Sequence, residues 1–391
     1  MIRKTSPLLL FLLPVIFIAQ VQPAPSNASA EQKSSSNYFP GSGDNWERRK
    51  PEDVGMNSEL LNDAINFANT HETPWPKDLA KMLAEGPARE PDGEIVGPAK
   101  ERGGVNGIIL RHGYIVAEWG DTSRVDMTFS STKSYVSTMA GLAFDRGLIK
   151  DINDPVKNYV KDGQFDSPHN SRITWHHLLQ QTSEWEGTLF GKPDTADRRK
   201  GRDRKLEEPG TFYEYNDVRV NRASLAVLQV WKRYLPDLLK ELVMDPIGAS
   251  STWQWHGYRT SDVVIEGRKI NSVSGGGHWG GGLWINTRDH ARFGYLFLRR
   301  GKWKDRQLIS EKWIDMATTP TKIYPQYGYM WWLNTNQKMW PGVPPSSFAA
   351  LGGNVNTVVA VPDHDLVIVV RWINNQDLGE FLKRVVASVK A

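Results

Sequence analysis

The chain has 391 residues, of which 39% are hydrophobic and 24% charged, the balance of a globular protein with a sizeable core. Its 48 basic and 44 acidic residues leave a net charge of +4, too small a bias to imply a nucleic-acid partner. It contains no cysteine, which excludes disulfides, thiolate metal sites, a cysteine nucleophile and a lipoprotein anchor.

The first residues, "MIRKTSPLLLFLLPVIFIAQ", combine a basic start at Arg3 and Lys4 with an apolar run from Pro7 to Ala19. Small residues follow at Ala28 and Ala30. This is the anatomy of a secretory signal peptide, so residues 1–30 are expected to be removed, with Ala24 as a rival cleavage site. The run of 13 residues is too short to span a bilayer comfortably. The expected product is a secreted or periplasmic protein, residues 31–391, with no stable membrane span.

A polar, turn-rich leader runs from Glu31 to about Pro51. Behind a serine cap, "SELLNDAINFANTH" (Ser58–His71) has Leu60, Leu61, Ala64, Ile65 and Ala68 at helical spacing, which predicts a helix. A charged, Pro/Gly-rich excursion continues to Gly104. "NGIILRHGYIVAEWG" (Asn106–Gly120) reads as a hairpin turning at His112-Gly113. After it comes the helix that opens at Ser130, then two segments of clear 3.6 periodicity, "ASLAVLQVWKRYLPDLLKELV" and "RDHARFGYLFLRRG". "NTVVAVPDHDLVIVVRW" gives two β-branched runs around Pro362-Asp363-His364-Asp365, and "DLGEFLKRVVASVK" a closing helix. Strands early and late with helices between predict an α+β fold. One antiparallel sheet would be completed by both ends of the chain, with a mainly helical lobe, about residues 145–290, inserted in it.

The stretch "FSSTKSYVSTMAGLAFDRG" (Phe129–Gly147) places Lys133 three positions after Ser130. Residues i and i+3 share a helix face, so these side chains can meet, whereas Ser131 points elsewhere. A serine at a helix start also lies beside free N–H groups and the positive end of the dipole. That setting suits an alkoxide and the oxyanion of a tetrahedral intermediate. Serine needs a base, and a lysine, ordinarily titrating near ~10.4, must be desolvated or placed near a cation to act as one. The plainer reading is a capping serine followed by an ordinary first-turn lysine, and the four residues alone favour it.

Further blocks change the balance: "ITWHHLLQQTS" (Ile173–Ser183), "EPGTFYEYNDVRVNRASLAVL" with Tyr215-Asn216-Asp217 behind a Pro-Gly turn, "YGYMWWL", and "AALGGNVNTVVAVPDHDLVIVV". In this order they resemble the serine β-lactamase and penicillin-binding-protein superfamily, in its branch of class C β-lactamases, related esterases and 6-aminohexanoate-dimer hydrolases. The likeness runs from about Trp46 to the C-terminus. It implies the β-lactamase-like fold, Ser130 as the acylated nucleophile, Lys133 as its partner, and Tyr215, on the tyrosine of the Tyr-x-Asn motif, as an acid/base. It also implies an oxyanion hole from the N–H groups of Ser130 and Gly353.

Two departures stand out. Asp217 occupies the position where the Tyr-x-Asn motif has asparagine. A carboxylate there could pair with Lys133 and move the base role towards Tyr215, or turn away to an arginine such as Arg219 or Arg222. The third family motif, a Lys or His, then Thr or Ser, then Gly, places its glycine at Gly352, ten positions before Pro362, and its first position at Ala350. The cation that helps bind a substrate carboxylate in β-lactamases is therefore absent. Gly352-Gly353 also reads simply as a turn or bulge.

Gly275-Gly276-Gly277-His278-Trp279-Gly280 formally fits a dinucleotide fingerprint, but no convincing strand precedes it and no helix follows. It reads better as a loop near the cleft, where His278 or Trp279 could touch substrate. Of the 16 tryptophans, Trp185, Trp279, Trp331 and Trp332 could wall that cleft, although tryptophan is more often core. The nine histidines show no metal-binding spacing, and no G-x-S-x-G elbow occurs. The expectation is a serine hydrolase acting on a small ester or amide, with no cofactor and no metal. The rivals are a β-lactamase or D-stereospecific cell-wall peptidase, and a non-catalytic binding or sensor domain on the same fold. The sequence leaves oligomeric state and substrate identity open.

Overall fold

The computed structural model describes Met1, residues 37–85 and residues 94–390; the expected signal peptide lies outside them. Among the described residues, no helix is long and apolar enough to cross a membrane.

The early hairpin forms as expected, with strands Asn106–Arg111 and Tyr114–Trp119. His112 and Gly113 both take positive φ, 54° and 87°, the backbone a two-residue type I′ turn requires. The late strands Asn356–Val361 and Leu366–Arg371 pair through the Pro362–His364 turn. Leu366–Arg371 then pairs antiparallel with Asn106–Arg111, setting Ile108 opposite Val369. Phe348–Ala350 and Trp332–Leu333 extend the other edge, giving a six-stranded antiparallel sheet closed by both ends of the chain.

Both faces of this sheet are covered, which is why its inner strands Asn356–Val361 and Leu366–Arg371 are buried along their whole length and put apolar side chains on both faces. Ile109, Val359, Ile368 and Val370 face one way, in a core shared with the mutually packed helices Ser58–Thr70 and Leu378–Ala387. Ile108, Val358, Val367 and Val369 face the other, in the larger core that includes helices Thr132–Asp145 and Thr287–Leu298. The second helix comes so close that a β-carbon on Gly294 would lie 2.3 Å from the Val358 side chain.

The stretch between holds the helices Trp175–Leu179, Asp217–Trp231 and Leu235–Leu239. It also holds a long hairpin, Gln254–Ile265 with Arg268–Val273, that the helix-centred reading passed over. Glu266 and Gly267 take positive φ at its tip. The hairpin joins Gly282–Ile285 and Asp126–Met127 in a second, four-stranded sheet. Asp126–Met127 runs straight into the turn that carries Ser130, so this small sheet fixes one side of the candidate site.

Candidate active site

Ser130 sits in a single 3₁₀ turn, Phe129–Ser131, that feeds directly into helix Thr132–Asp145. Its neighbours hold the turn in place. The Ser131 hydroxyl faces the carbonyls of Ala350, at 3.0 Å, and Asn356, tying the helix start to the main sheet. Phe129 is held at φ 50°, costly for a bulky residue and characteristic of functional turns. Its ring packs edge-on to Trp75 and Trp372. No side-chain cap is made at this helix start, so the capping reading of Ser130 does not hold.

The spacing argument for Lys133 is met: its Nζ donates to Ser130 Oγ at 3.0 Å. The ammonium also forms an ion pair with Asp217, and the two side chains are only 2% and 5% exposed. Asp217 therefore takes the first of its two alternatives. Arg219 pairs instead with Glu184 and Asp194, and Arg222 with Asp162. Burial alone would raise the Asp217 carboxyl, but the charges of Lys133, the larger influence, and Arg199 hold it well below the usual carboxylate range.

Tyr215 is placed by the residue after it. Asn216 caps helix Asp217–Trp231 by accepting the Arg219 N–H at 3.1 Å, while its own N–H reaches Gln181 Oε1 at 2.9 Å. The Tyr215 ring lies 5.6 Å from that of Trp332, with Lys133 Nζ and the Arg199 guanidinium each 4.8 Å from its centroid. Tyr215 and Ser130 line the same cavity. Burial, the largest influence, and the Asp217 charge push the phenol up; the nearby Ser130 side chain and Arg199 oppose them. At rest the group is a neutral phenol.

Gly352 and Gly353 line the same cavity of about 710 Å³ as Ser130. A β-carbon on Gly352 would stand 2.0 Å from the Thr128 carbonyl oxygen, so this close approach of the edge segment to the nucleophile turn requires glycine. Ala350 ends strand Phe348–Ala350, buried, and presents no cation.

Two contributors escaped the motif analysis. Asp197 accepts the backbone N–H of Asp217 and pairs with Arg199 at 3.2 Å. Burial, then the Asp217 charge, pushes its carboxyl up. Arg199 bridges Asp197 and Asp217, reaching the latter at 3.4 Å. Both lie in the charge-dense "DRRKGRDRK" run, which looks like a solvated loop. Gly276 also approaches the site: a β-carbon there would be 2.9 Å from Lys133 Nζ. The glycine-rich loop is thus part of the site, as expected, and His278 lines the cavity. Burial, opposed by the two aspartates, lowers the His278 pKa and keeps it neutral. Trp332 also lines the cavity, whereas Trp185, Trp279 and Trp331 are buried in the core.

Asp197, Asp217 and His278 offer ligand atoms within 4.8 Å of one another. Both Asp217 oxygens already face Lys133 and Arg199, a donor set neutralised by side-chain cations and ill-suited to a divalent ion.

The sequence profile of the Beta-lactamase family matches residues 83–384. The chain belongs to this family. An uncharacterized protein of Alkalihalophilus pseudofirmus is similar to it, with 24% identity over 298 residues, 68% of this chain and 82% of the relative. Among solved structures, a penicillin-binding protein homolog from Caulobacter crescentus superposes with a TM-score of 0.56 at 14% identity, over 85% of this chain and 99% of that one. EstCE1, a hydrolase with promiscuous acyltransferase activity, gives 0.55 at 14% identity, over 85% and 99%. A putative 6-aminohexanoate-dimer hydrolase from Bacillus anthracis gives 0.52 at 16% identity, over 72% and 77%. At such identities the superpositions speak for the shared β-lactamase-like fold, and the family match identifies a hydrolase.

Proposed function

We propose that this Beta-lactamase family member is an exported serine hydrolase that cleaves small esters or amides through an acyl-enzyme on Ser130. The observation that carries the reading is Lys133 Nζ at 3.0 Å from Ser130 Oγ, with Lys133 over the ring of Tyr215 and Ser130 and Tyr215 lining one cavity. The signal-peptide-like composition of residues 1–30, a basic start followed by an apolar run, supports the location.

In the mechanism we infer, Lys133, paired with Asp217, donates to Ser130 Oγ and stabilises negative charge growing there. Oγ bonds to the substrate carbonyl carbon. The Ser130 proton passes to the Tyr215 oxygen while the Tyr215 proton passes to the leaving oxygen or nitrogen, so the phenol remains neutral overall. The carbonyl oxygen, briefly an oxyanion, is met by the N–H groups of Ser130 and Gly353. The bond to the leaving group breaks, giving an alcohol or amine and the Ser130 ester. Water then attacks that ester, with Tyr215 relaying a proton back to Ser130 Oγ, and the carboxylic acid departs.

The buried Ala350 supports an open-chain ester or amide over a β-lactam, because this strand position supplies no cation. Parallel assays with p-nitrophenyl butyrate and nitrocefin test the reading. We expect ester turnover that disappears in Ser130→Ala and slow or absent nitrocefin turnover. Rapid nitrocefin hydrolysis would move the assignment to a β-lactamase. No ester turnover together with no fluorophosphonate labelling would make the protein a binder.

A further inference from the structure

The geometry points to a substrate that carries its own carboxylate, with Arg199 as the residue that selects it. This deepens, and rests on, the assignment of Ser130 as the nucleophile. The first observation is where Arg199 stands. It lines the Ser130 cavity, its side chain is 51% exposed, and its guanidinium lies over the face of Tyr215, 4.8 Å from the ring centroid. Lys133 is covered and His278 is held neutral, so Arg199 is the exposed permanent cation among the described residues of the cavity wall.

The second observation is how the guanidinium is held. Nε donates to Asp197 at 3.2 Å and Nη2 to Asp217 at 3.4 Å, while Nη1 meets no acceptor among the described residues. The Arg199 main-chain N–H donates to Glu214 Oε1 at 3.0 Å. Arginine presents a planar fork suited to carboxylates, and here one edge is pinned and the other is open. The two aspartates do not make the place hostile to an anion. Lys133 and Arg199 match them in number, and burial together with the Asp217 charge already disfavours ionisation of Asp197.

The third observation concerns the approach. Residues 198–205 carry six basic side chains and one acid. Arg198 and Arg204 are engaged with the buried carboxylates of Asp194, Glu184 and Glu214, which fixes the segment. Lys200 and Lys205 remain exposed beside it. This basic segment, which brings Arg199 to the cavity wall, draws anions towards it. Because Asp217 alone spans Lys133 and Arg199, the guanidinium is within a short chain of methylenes of the reacting carbonyl.

The test compares kcat/KM for p-nitrophenyl hemiesters of succinate, glutarate and adipate with that for uncharged esters of equal length, and for 3-carboxyphenyl butyrate with phenyl butyrate. These pairs place the carboxylate on the acyl side or the leaving-group side. In the wild type at least one charged ester is expected to be preferred by about tenfold, the scale of one hydrogen bond to a charged group. The preference should shrink as salt is raised. The charged-to-neutral ratio should fall towards one in Arg199→Gln and recover partly in Arg199→Lys; reading the ratio within each variant cancels any general loss. Equal or lower kcat/KM for every charged ester, with neutral esters still cleaved, overturns the inference and leaves the serine hydrolase standing. Failure of all esters, together with absence of fluorophosphonate labelling of Ser130, overturns the hydrolase reading itself.

Discussion

Lys133 and Asp217 form a buried ion pair whose cation also donates to Ser130 Oγ at 3.0 Å. The pair joins the first turn of helix Thr132–Asp145 to the first residue of helix Asp217–Trp231, so one contact serves both the packing of two helices and the chemistry between them. A charged pair out of water contributes little net stability, but removing one partner is expensive because the other charge is left uncompensated.

Asp217→Asn, which restores the residue usual in the family motif, is therefore expected to lower unfolding free energy by about 3 kcal/mol or more. Urea denaturation followed by tryptophan fluorescence measures this. The same variant should lower kcat for ester hydrolysis, because Lys133 loses the carboxylate that holds its ammonium against Ser130 Oγ. An unchanged midpoint and an unchanged kcat would show that the pair matters to neither.

Tyr215→Phe keeps the ring between Trp332 and the two cations and removes only the hydroxyl. Loss of an acid/base group costs roughly 10²–10⁴-fold in kcat, and that is the expected effect, with little change in KM or thermal midpoint. The wild-type phenol is raised above its ordinary value near ~10, so it stays protonated through pH 9. A neutral relay then predicts kcat/KM with no rise between pH 7 and 9. A tenfold rise per pH unit over that window would instead identify a tyrosinate base.

Glu184 is fully buried and clamps Arg204 and Arg219. Burial raises its carboxyl, yet these arginines hold it down to about 2. The folded-state value is depressed, so the stabilisation is present above the unfolded value near ~4.3 and is lost as pH falls through the folded one. At neutral pH it amounts to about 3 kcal/mol. Glu184→Gln should lose that stability at pH 7 and show a flatter decline between pH 4 and 2 than wild type, measured by urea titration at each pH.

Gly276→Ala places a methyl group against Lys133 Nζ, where 2.9 Å is available. The flexible lysine end can move aside, so folding should survive, but it then leaves Ser130 Oγ. A fall in kcat of about tenfold or more, as expected when a positioned group is displaced by an ångström, is checked by steady-state kinetics with p-nitrophenyl butyrate.

The parts legible in sequence were those set by local periodicity. The i, i+3 relation of Ser130 and Lys133, the His112-Gly113 hairpin and the paired late strands rest on spacing alone, and the structure keeps all three. The hairpin Gln254–Val273 was missed because its strands mix exposed polar residues such as Arg259, Thr260 and Asp262 with apolar ones, which blurs the period of two. Asp197 and Arg199 were invisible for a different reason. Their role depends on a partner 18 to 20 residues away across a loop of charges, and nothing local marks which charges turn inward. The alternatives for Asp217 were equally undecidable, since Lys133 is separated from it by 84 residues.

The central claim is that Ser130 becomes covalently acylated. Intact-protein and peptide mass spectrometry after rapid acid quenching of a p-nitrophenyl ester reaction tests it most directly. The account predicts a single acyl adduct on the peptide containing Ser130, absent in Ser130→Ala and longer-lived in Tyr215→Phe. Ester turnover that persists in Ser130→Ala, or an adduct located on another residue, would contradict it.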